Sequence, residues 1–361
     1  MPIPEPLAPR VAISWNGLPQ YAAREIRVAI DRIGRDCIVV GSKPAVPVEG
    51  MERVLGCPVH WVAADKPVTW ASLGHAVPGI FVQSGWSYPA FSALGAEVKA
   101  KGGRVIGLSD ANWRGNFRQV VLGPVAFRVR HKSYFDAMIV PGAQGARLMA
   151  WFGMPKAKVH TGMYGADPSL FRGGPPLAER PKTFLFVGQF IARKDVLGLA
   201  RAFVRFSASH PEWSLRICGG GAQKALIPAH PKITVEDFVQ PEQLAQRFFE
   251  ARFFVLPSLV EAWGLVVHEA ASAGCGLVLS DAIGSADDLS TTANAVRFKA
   301  GNEDDLLRAL HDAAAFDSAR LAAAEAVSRG LAADFGPERF GREVAGLVEH
   351  FTRELRGKQG A

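Results

Sequence analysis

The sequence predicts an α/β protein made of two parallel-sheet domains, on three observations. Short apolar runs rich in Val, Ile and Phe alternate with helix-patterned runs along most of the chain, which is the signature of parallel βαβ units. A loop-like stretch interrupts the alternation, with Gly165-Ala166-Asp167-Pro168 and Gly173-Gly174-Pro175-Pro176, and the pattern then restarts. The length of 361 residues exceeds one ordinary core. It suits two domains of roughly 150–200 residues each.

In the first domain, residues 1–165, Val11-Ala12-Ile13-Ser14-Trp15 reads as a buried strand, and Asn16-Gly17-Leu18-Pro19 turns it into a helix over 20–33. A dinucleotide fingerprint needs three glycines at this turn; only Gly17 is present, which disfavours a nicotinamide or flavin site. Further strands are expected at 37–40, 79–82, 104–108 and 137–140, with helices over 89–101 and 144–151. Residues 166–182 are the expected linker. The second domain, 183–335, has expected strands at 183–187, 213–218, 233–235, 253–256, 277–279 and 295–298. Helices are expected over 195–209 and 241–250, and the tail from 303 to about 356 is mostly helical.

Composition narrows the class. Hydrophobic residues make up 48% and charged residues 21%, the balance of a globular chain. No stretch approaches the roughly 20 apolar residues of a membrane span. The start, Met1-Pro2-Ile3-Pro4-Glu5-Pro6, lacks a basic region followed by an apolar core, so the expectation is a cytoplasmic protein. Cys37, Cys57, Cys218 and Cys275 are scattered without C-x-x-C pairing and read as reduced thiols. The net charge of +7 is uneven: residues 1–165 hold 19 Lys+Arg against 10 Asp+Glu, and the remainder 22 against 24. Basic runs interleaved with aromatics are missing, which argues against nucleic acid. An anionic membrane surface, an acidic acceptor and a plain solvated basic surface all remain open.

In the second domain three strand ends carry the candidate chemistry. The first bears Gly188-Gln189-Phe190 and then Arg193-Lys194, the second Gly219-Gly220-Gly221, and the third Glu261 and Glu269, eight positions apart, with Gly264-Leu265 between them. Adjacent cations, glycine backbone and a helix N-terminus together make a diphosphate cradle. Taken singly, each piece has a plainer reading. The basic pair suits any surface, the glycines any flexible turn, and Glu261 a solvated loop. Glu269 stands among Leu265, Val266, Val267, Ala270 and Ala271, where an unpaired carboxylate is costly, so a buried ion pair is its alternative.

These pieces, in this order, closely resemble the retaining glycosyltransferases of family 4. The matching segments are Phe186-Val187-Gly188 with Arg193-Lys194, Ile217 to Gly221, Phe254-Val255-Leu256-Pro257-Ser258, the E-x7-E element from Glu261 to Glu269, and Ala273-Gly274-Cys275-Gly276. The resemblance implies the GT-B fold: two facing Rossmann-like domains with parallel sheets, and a C-terminal helix, here 336–361, that returns to the first domain. It implies that Arg193 and Lys194 hold the nucleotide diphosphate, that Gly264 and Leu265 offer N–H groups to it, that Glu261 contacts donor-sugar hydroxyls and Glu269 the ribose diol, and that Phe238 and Val239 lie beside the base. Gly17 fits the family's N-terminal glycine loop. Members often place a histidine at the end of a central strand of the first domain; here Asp110 stands there, as a hydroxyl-binding group or a turn cap. Trp86, Tyr88 and Trp113 are candidates for stacking on an acceptor, and Trp86 reads equally as core.

The implied reaction moves a sugar from a nucleotide diphosphate sugar to an acceptor hydroxyl, with retention. Arg193, Lys194 and the helix N-terminus stabilise the leaving diphosphate. No D-x-D element is placed to hold a divalent ion, so no metal or other cofactor is expected. The acceptor class stays open among cell-surface glycans, lipid-linked precursors and small glycosides, with peripheral attachment to the inner membrane face as one expectation. A nucleotide-sugar epimerase of the same fold and a non-catalytic nucleotide-sugar binding protein are the alternatives.

Overall fold

The computed structural model describes residues 10–34, 37–44, 50–111, 117–167 and 169–359. They form two compact units: Met1–Gly165 with Gly336–Ala361, and Ala166–Phe335.

The first unit holds β1 (Val11–Trp15), β2 (Cys37–Gly41), β3 (Val59–Trp61), β4 (Ile80–Ser84), β5 (Arg104–Leu108), β6 (Ala137–Val140) and β7 (Val159–Thr161). They pair in parallel in the order β3-β2-β1-β4-β5-β6-β7. Successive side chains of a strand point to opposite faces, and the two cores of this unit follow that rule. Val11, Ile13, Ile80, Val82, Ile106 and Leu108 lie in one, and Ala12, Phe81, Val105, Met138 and Val140 in the other. Both faces are covered, so the central strands read as unbroken apolar runs. The sequence pattern misses β3 and β7. Each is a half-buried strand of three residues at a sheet edge, VHW and VHT, too short and too polar to show a period.

The second unit holds β8 (Thr183–Val187), β9 (Ser214–Cys218), β10 (Ile233–Glu236), β11 (Phe253–Leu256), β12 (Gly276–Ser280) and β13 (Ala295–Phe298). The order is β10-β9-β8-β11-β12-β13, again all parallel. Both sheets therefore wind the same way. The chain steps outward on one side of its first strand, returns to the other side, and continues outward there.

The helix Pro337–Gln359 completes the first unit. Phe340, Val344, Leu347, Val348 and Phe351, spaced as one helical stripe, join the core with Ala22, Ala23, Ile26 and Ala29 of the helix Gln20–Ile33. Trp15 meets Phe340 edge-on at 5.9 Å. Arg104 donates to Glu354 at 2.7 Å, and His160 contacts Glu343 at 2.9 Å. The two helices approach closely at Gly341, where an added Cβ would lie 2.6 Å from Val28 Cγ1 and 3.1 Å from the Val28 carbonyl carbon. Gly346, on the same helix, has no atom within 4 Å of that position. Gly341→Ala is therefore expected to lower stability by about 1–3 kcal/mol through overpacking, whereas Gly346→Ala raises it by about 0.5–1 kcal/mol through helix propensity. Chemical denaturation of the two variants checks the opposite signs.

Candidate functional site

In an open α/β sheet, ligands bind beyond the carboxyl ends of the strands where the winding reverses. In the second unit that point lies between β8 and β11. The loop after β8 contains the single turn Ala192–Lys194, followed by Asp195 in the left-handed region at φ 49°. The loop after β11 carries Ser258 to Gly264. Leu259 N–H donates to the Arg193 carbonyl at 2.8 Å, which ties the two loops together.

Lys194 is buried, and its Nζ donates to the Glu261 carboxylate in a short ion pair. Arg193 Nη1 lies 3.4 Å from the same Glu261 oxygen, and Ser258 Oγ donates to it at 3.3 Å. The Glu261 main chain is pinned to the loop after β12: its N–H donates to Ala282 O at 3.2 Å, and its carbonyl accepts from Gly284 N–H at 3.0 Å. The stem of Lys194 runs past Gly188, with Cε 4.0 Å from where a Cβ would stand. Gly264, at φ 85°, then turns the chain into the helix Leu265–Ser272. No side chain caps that helix, so its first N–H groups are open to an anion.

Glu269 lies on this helix. Burial pushes its carboxyl up to about 7, and among the described residues no hydrogen bond or ion pair reaches it. The buried ion pair offered as its alternative is therefore not present among those residues. The adjacent His268 does a different job. Its Nδ1 accepts from Ala166 N–H at 2.7 Å, its Nε2 donates to Ala332 O at 2.9 Å, and burial lowers its pKa to about 4. It is a neutral imidazole that fastens the two ends of this unit to the helix.

The triple glycine has a backbone reason. At Gly219 (φ 143°) a Cβ would stand 1.9 Å from the Gly188 carbonyl oxygen, and at Gly221 (φ 146°) 2.7 Å from that of Phe190. This contact lets Phe190 N–H donate to Gly220 O at 2.7 Å and Gly188 N–H to Cys218 O at 3.0 Å. The loops after β8 and β9 thus form one surface. Phe238, in the loop after β10, is 73% exposed, and Val239 beside it is half-buried.

In the first unit the winding reverses between β1 and β4. A pocket of about 210 Å³ at their carboxyl ends is lined by Trp15, Asn16, Trp86, Tyr88, Asp110 and Tyr164, among others. Gly17 takes φ 59°, and its N–H donates to Ser42 Oγ at 2.7 Å. Asn16 N–H donates to Ser84 Oγ at 3.1 Å. Trp86 lines the pocket and packs edge-on against Phe127 at 5.4 Å. Trp113 lies outside the described residues. Sequence reasoning missed the group behind the pocket. Tyr164 meets Tyr21 edge-on at 5.9 Å. Glu25 is fully buried; one of its oxygens accepts from Gly165 N–H at 2.6 Å and the other has no partner. Burial holds the Glu25 carboxyl well above the usual carboxylate range. Its signal was legible, as a carboxylate set in the apolar stripe Ala22, Ile26, Ala29.

A buried cation, an unpartnered carboxylate and an uncapped helix thus meet at one reversal point, the place where open α/β sheets take their ligands. Comparison with known proteins narrows this. Residues 170–326 match the family described as glycosyl transferases group 1. The chain also superposes on solved structures along nearly its whole length. HepE of Anabaena, in complex with UDP and glucose, has a TM-score of 0.69 at 14% identity, covering 94% of this chain and 99% of that one. A glycosyltransferase of Rickettsia africae ESF-5 scores 0.73 at 9% identity, covering 96% and 99%. The sucrose-phosphate synthase of Thermosynechococcus elongatus scores 0.66 at 17% identity, covering 97% and 99%. Among curated proteins none matches by sequence. The match to the group 1 glycosyl transferases thus lies in the second unit, over residues 170–326, and the chain as a whole has the GT-B fold of these solved structures.

The sign of the Glu269 effect is testable. Its carboxyl titrates near 4.5 when unfolded and near 7 when folded, so the native state keeps a proton that the unfolded state releases. Stability is then undiminished below about pH 4.5 and falls as pH rises through 7, by up to about 3 kcal/mol. Glu269→Gln is expected to raise Tm at pH 8.5 and leave it nearly unchanged at pH 4.5. Calorimetry at the two pH values checks this.

Proposed function

We propose that the protein transfers a hexose from a UDP-sugar to an acceptor hydroxyl, with the anomeric configuration retained. The observation that carries this reading is the Lys194–Glu261 pair at the β8–β11 reversal, beside the uncapped N-terminus of Leu265–Ser272. A diphosphate arriving there replaces Glu261 as the counter-ion of Lys194. Glu261 is released to accept from hydroxyls of the donor sugar, while the N–H groups of Gly264 and Leu265 face the phosphates. Glu269, with no partner of its own, accepts from the ribose diol, and the exposed ring of Phe238 with Val239 flanks the base. The choice of UDP is supported by HepE, whose complexes hold UDP and UDP-glucose.

The acceptor hydroxyl attacks the anomeric carbon on the face from which the diphosphate departs. The new carbon–oxygen bond forms as the bond to the phosphate oxygen breaks, and that oxygen takes the acceptor proton. Arg193 and Lys194 stabilise the charge that collects on the leaving group. The pocket of the first unit, with Asp110, Trp86 and Tyr88, suits the acceptor: a carboxylate for a hydroxyl and aromatic faces for a sugar ring. The relative WaaG is described as involved in lipopolysaccharide biosynthesis. With the basic excess of residues 1–165, this favours an acceptor belonging to a cell-surface glycan or glycolipid.

Two measurements test the reading. Thermal shifts with UDP, GDP and ADP are expected to favour UDP, with about 2.7 kcal/mol of stabilisation at a hundred times Kd. Lys194→Ala is expected to lower kcat by about 10²–10³-fold, the scale of one lost charge-stabilising group, and Glu269→Gln to raise the donor KM, both with native circular dichroism. Undiminished turnover in both variants overturns the assignment. Conversion of the donor without an acceptor points to an epimerase. Binding without turnover across an acceptor panel points to a non-catalytic receptor.

A further inference from the structure

The first unit carries an apolar face that nothing covers among the described residues. A π-turn, Arg118–Leu122, runs directly into the helix Gly123–Arg130. Along this segment Phe117, Val121, Val125 and Val129 recur every four residues, with Leu122 beside them, and all are exposed, Phe117 at 72% and Val129 at 77%. Trp151, 46% exposed, adjoins them, its indole N–H donating to Val120 O at 3.1 Å. Five large apolar side chains on one helical face, with an amphipathic tryptophan at its side, are more than the isolated exposed residues of an ordinary surface.

The charge around this face is of one sign. Arg128, Arg130 and Lys132 are exposed at its carboxyl end, and no Asp or Glu occurs between Asp110 and Asp136. A protein partner with an apolar groove would account for the stripe alone. Cations at the end of an apolar helical face, with an indole at the rim, are what an anionic bilayer surface selects. We propose that this helix docks the protein on anionic phospholipid, with its apolar side chains in the interfacial layer and Arg130 and Lys132 on the headgroups.

The docking face is joined to the pocket of the first unit. Phe127, on the buried side of the same helix, packs against Trp86 at 5.4 Å, and Trp86 lines the pocket with Tyr88 and Asp110. Resting on the glycosyltransferase reading, this continuity assigns the acceptor to the class of amphiphiles held in the bilayer with a hydroxyl-bearing head group. A substrate moving in two dimensions along the membrane then reaches the pocket without leaving it.

Flotation of the full chain with vesicles tests this. Wild type is expected to float with vesicles of equal phosphatidylglycerol and phosphatidylcholine and to remain unbound with phosphatidylcholine alone. Val125→Asp with Val129→Asp is expected to lower partitioning at least tenfold. Arg130→Glu with Lys132→Glu lowers it by about fivefold or more per cation removed. All four positions are exposed, so the thermal shift with UDP should match wild type in both variants. Failure of wild type to float with anionic vesicles, or flotation of the aspartate variant as wild type, overturns the proposal. So does a concentration-dependent dimer, seen by sedimentation velocity, that the aspartate pair abolishes while flotation persists; the face then belongs to a second copy. Loss of UDP binding or turnover without loss of flotation would count against the glycosyltransferase reading alone.

Discussion

The ion pair between Lys194 and Glu261 is the constraint around which the second unit is arranged. Its partners come from the ends of two strands that neighbour each other in the sheet but stand 67 positions apart in the chain. Taking both charges out of water is expensive, and an apolar pair of the same volume would serve stability as well or better. The fold nevertheless holds the pair from three sides: the Leu259–Arg193 bond, the bridge from Glu261 to the loop after β12, and the Ser258 hydroxyl. The unpartnered Glu269 carboxyl and the uncapped start of Leu265–Ser272 are likewise unfavourable in themselves. Concentrating such costs at one reversal point, in a unit otherwise packed with Phe, Val and Leu, is what a binding site held ready for charge looks like.

Much of this was legible in the sequence, and the reasons are particular. The central strands of both sheets are buried on both faces, so runs such as Phe253-Phe254-Val255-Leu256 announce themselves. Edge strands do not: β3 and β7 take their stability from pairing, and three residues hold no pattern. The candidate residues of the second unit stand out in the sequence because they follow strand ends, where the switch-point rule assigns meaning to a glycine or a cation. The pocket of the first unit was only half visible. Asp110 and Trp86 follow strands, but Tyr164 arrives from a distant loop, and its place beside Tyr21 is a matter of tertiary packing. Glu25 illustrates the limit. Its position in an apolar stripe signals burial, but not that its partner would be the backbone of Gly165.

Glycine plays two separate roles here, and the sequence does not distinguish them. Gly264 supplies the left-handed turn, at φ 85°, that leads into the helix Leu265–Ser272. Gly219 and Gly221 supply absence: each lets one loop lie on the backbone of another where a methyl group has no room. Gly219 and Gly221 thereby brace the loop that carries Arg193 and Lys194.

The helix Pro337–Gln359 gives the chain a history as well as a shape. Five of its side chains fill the core of the first unit, yet the whole of the second unit separates them from Gly165. During synthesis the first unit emerges with the stripe of Gln20–Ile33 bare, and it stays bare while Ala166–Phe335 is made and folds as a continuous stretch. The unit begun first is therefore the last to be finished. Until residues beyond Phe335 arrive, Ile26 and its neighbours are the surface a chaperone or a protease would meet.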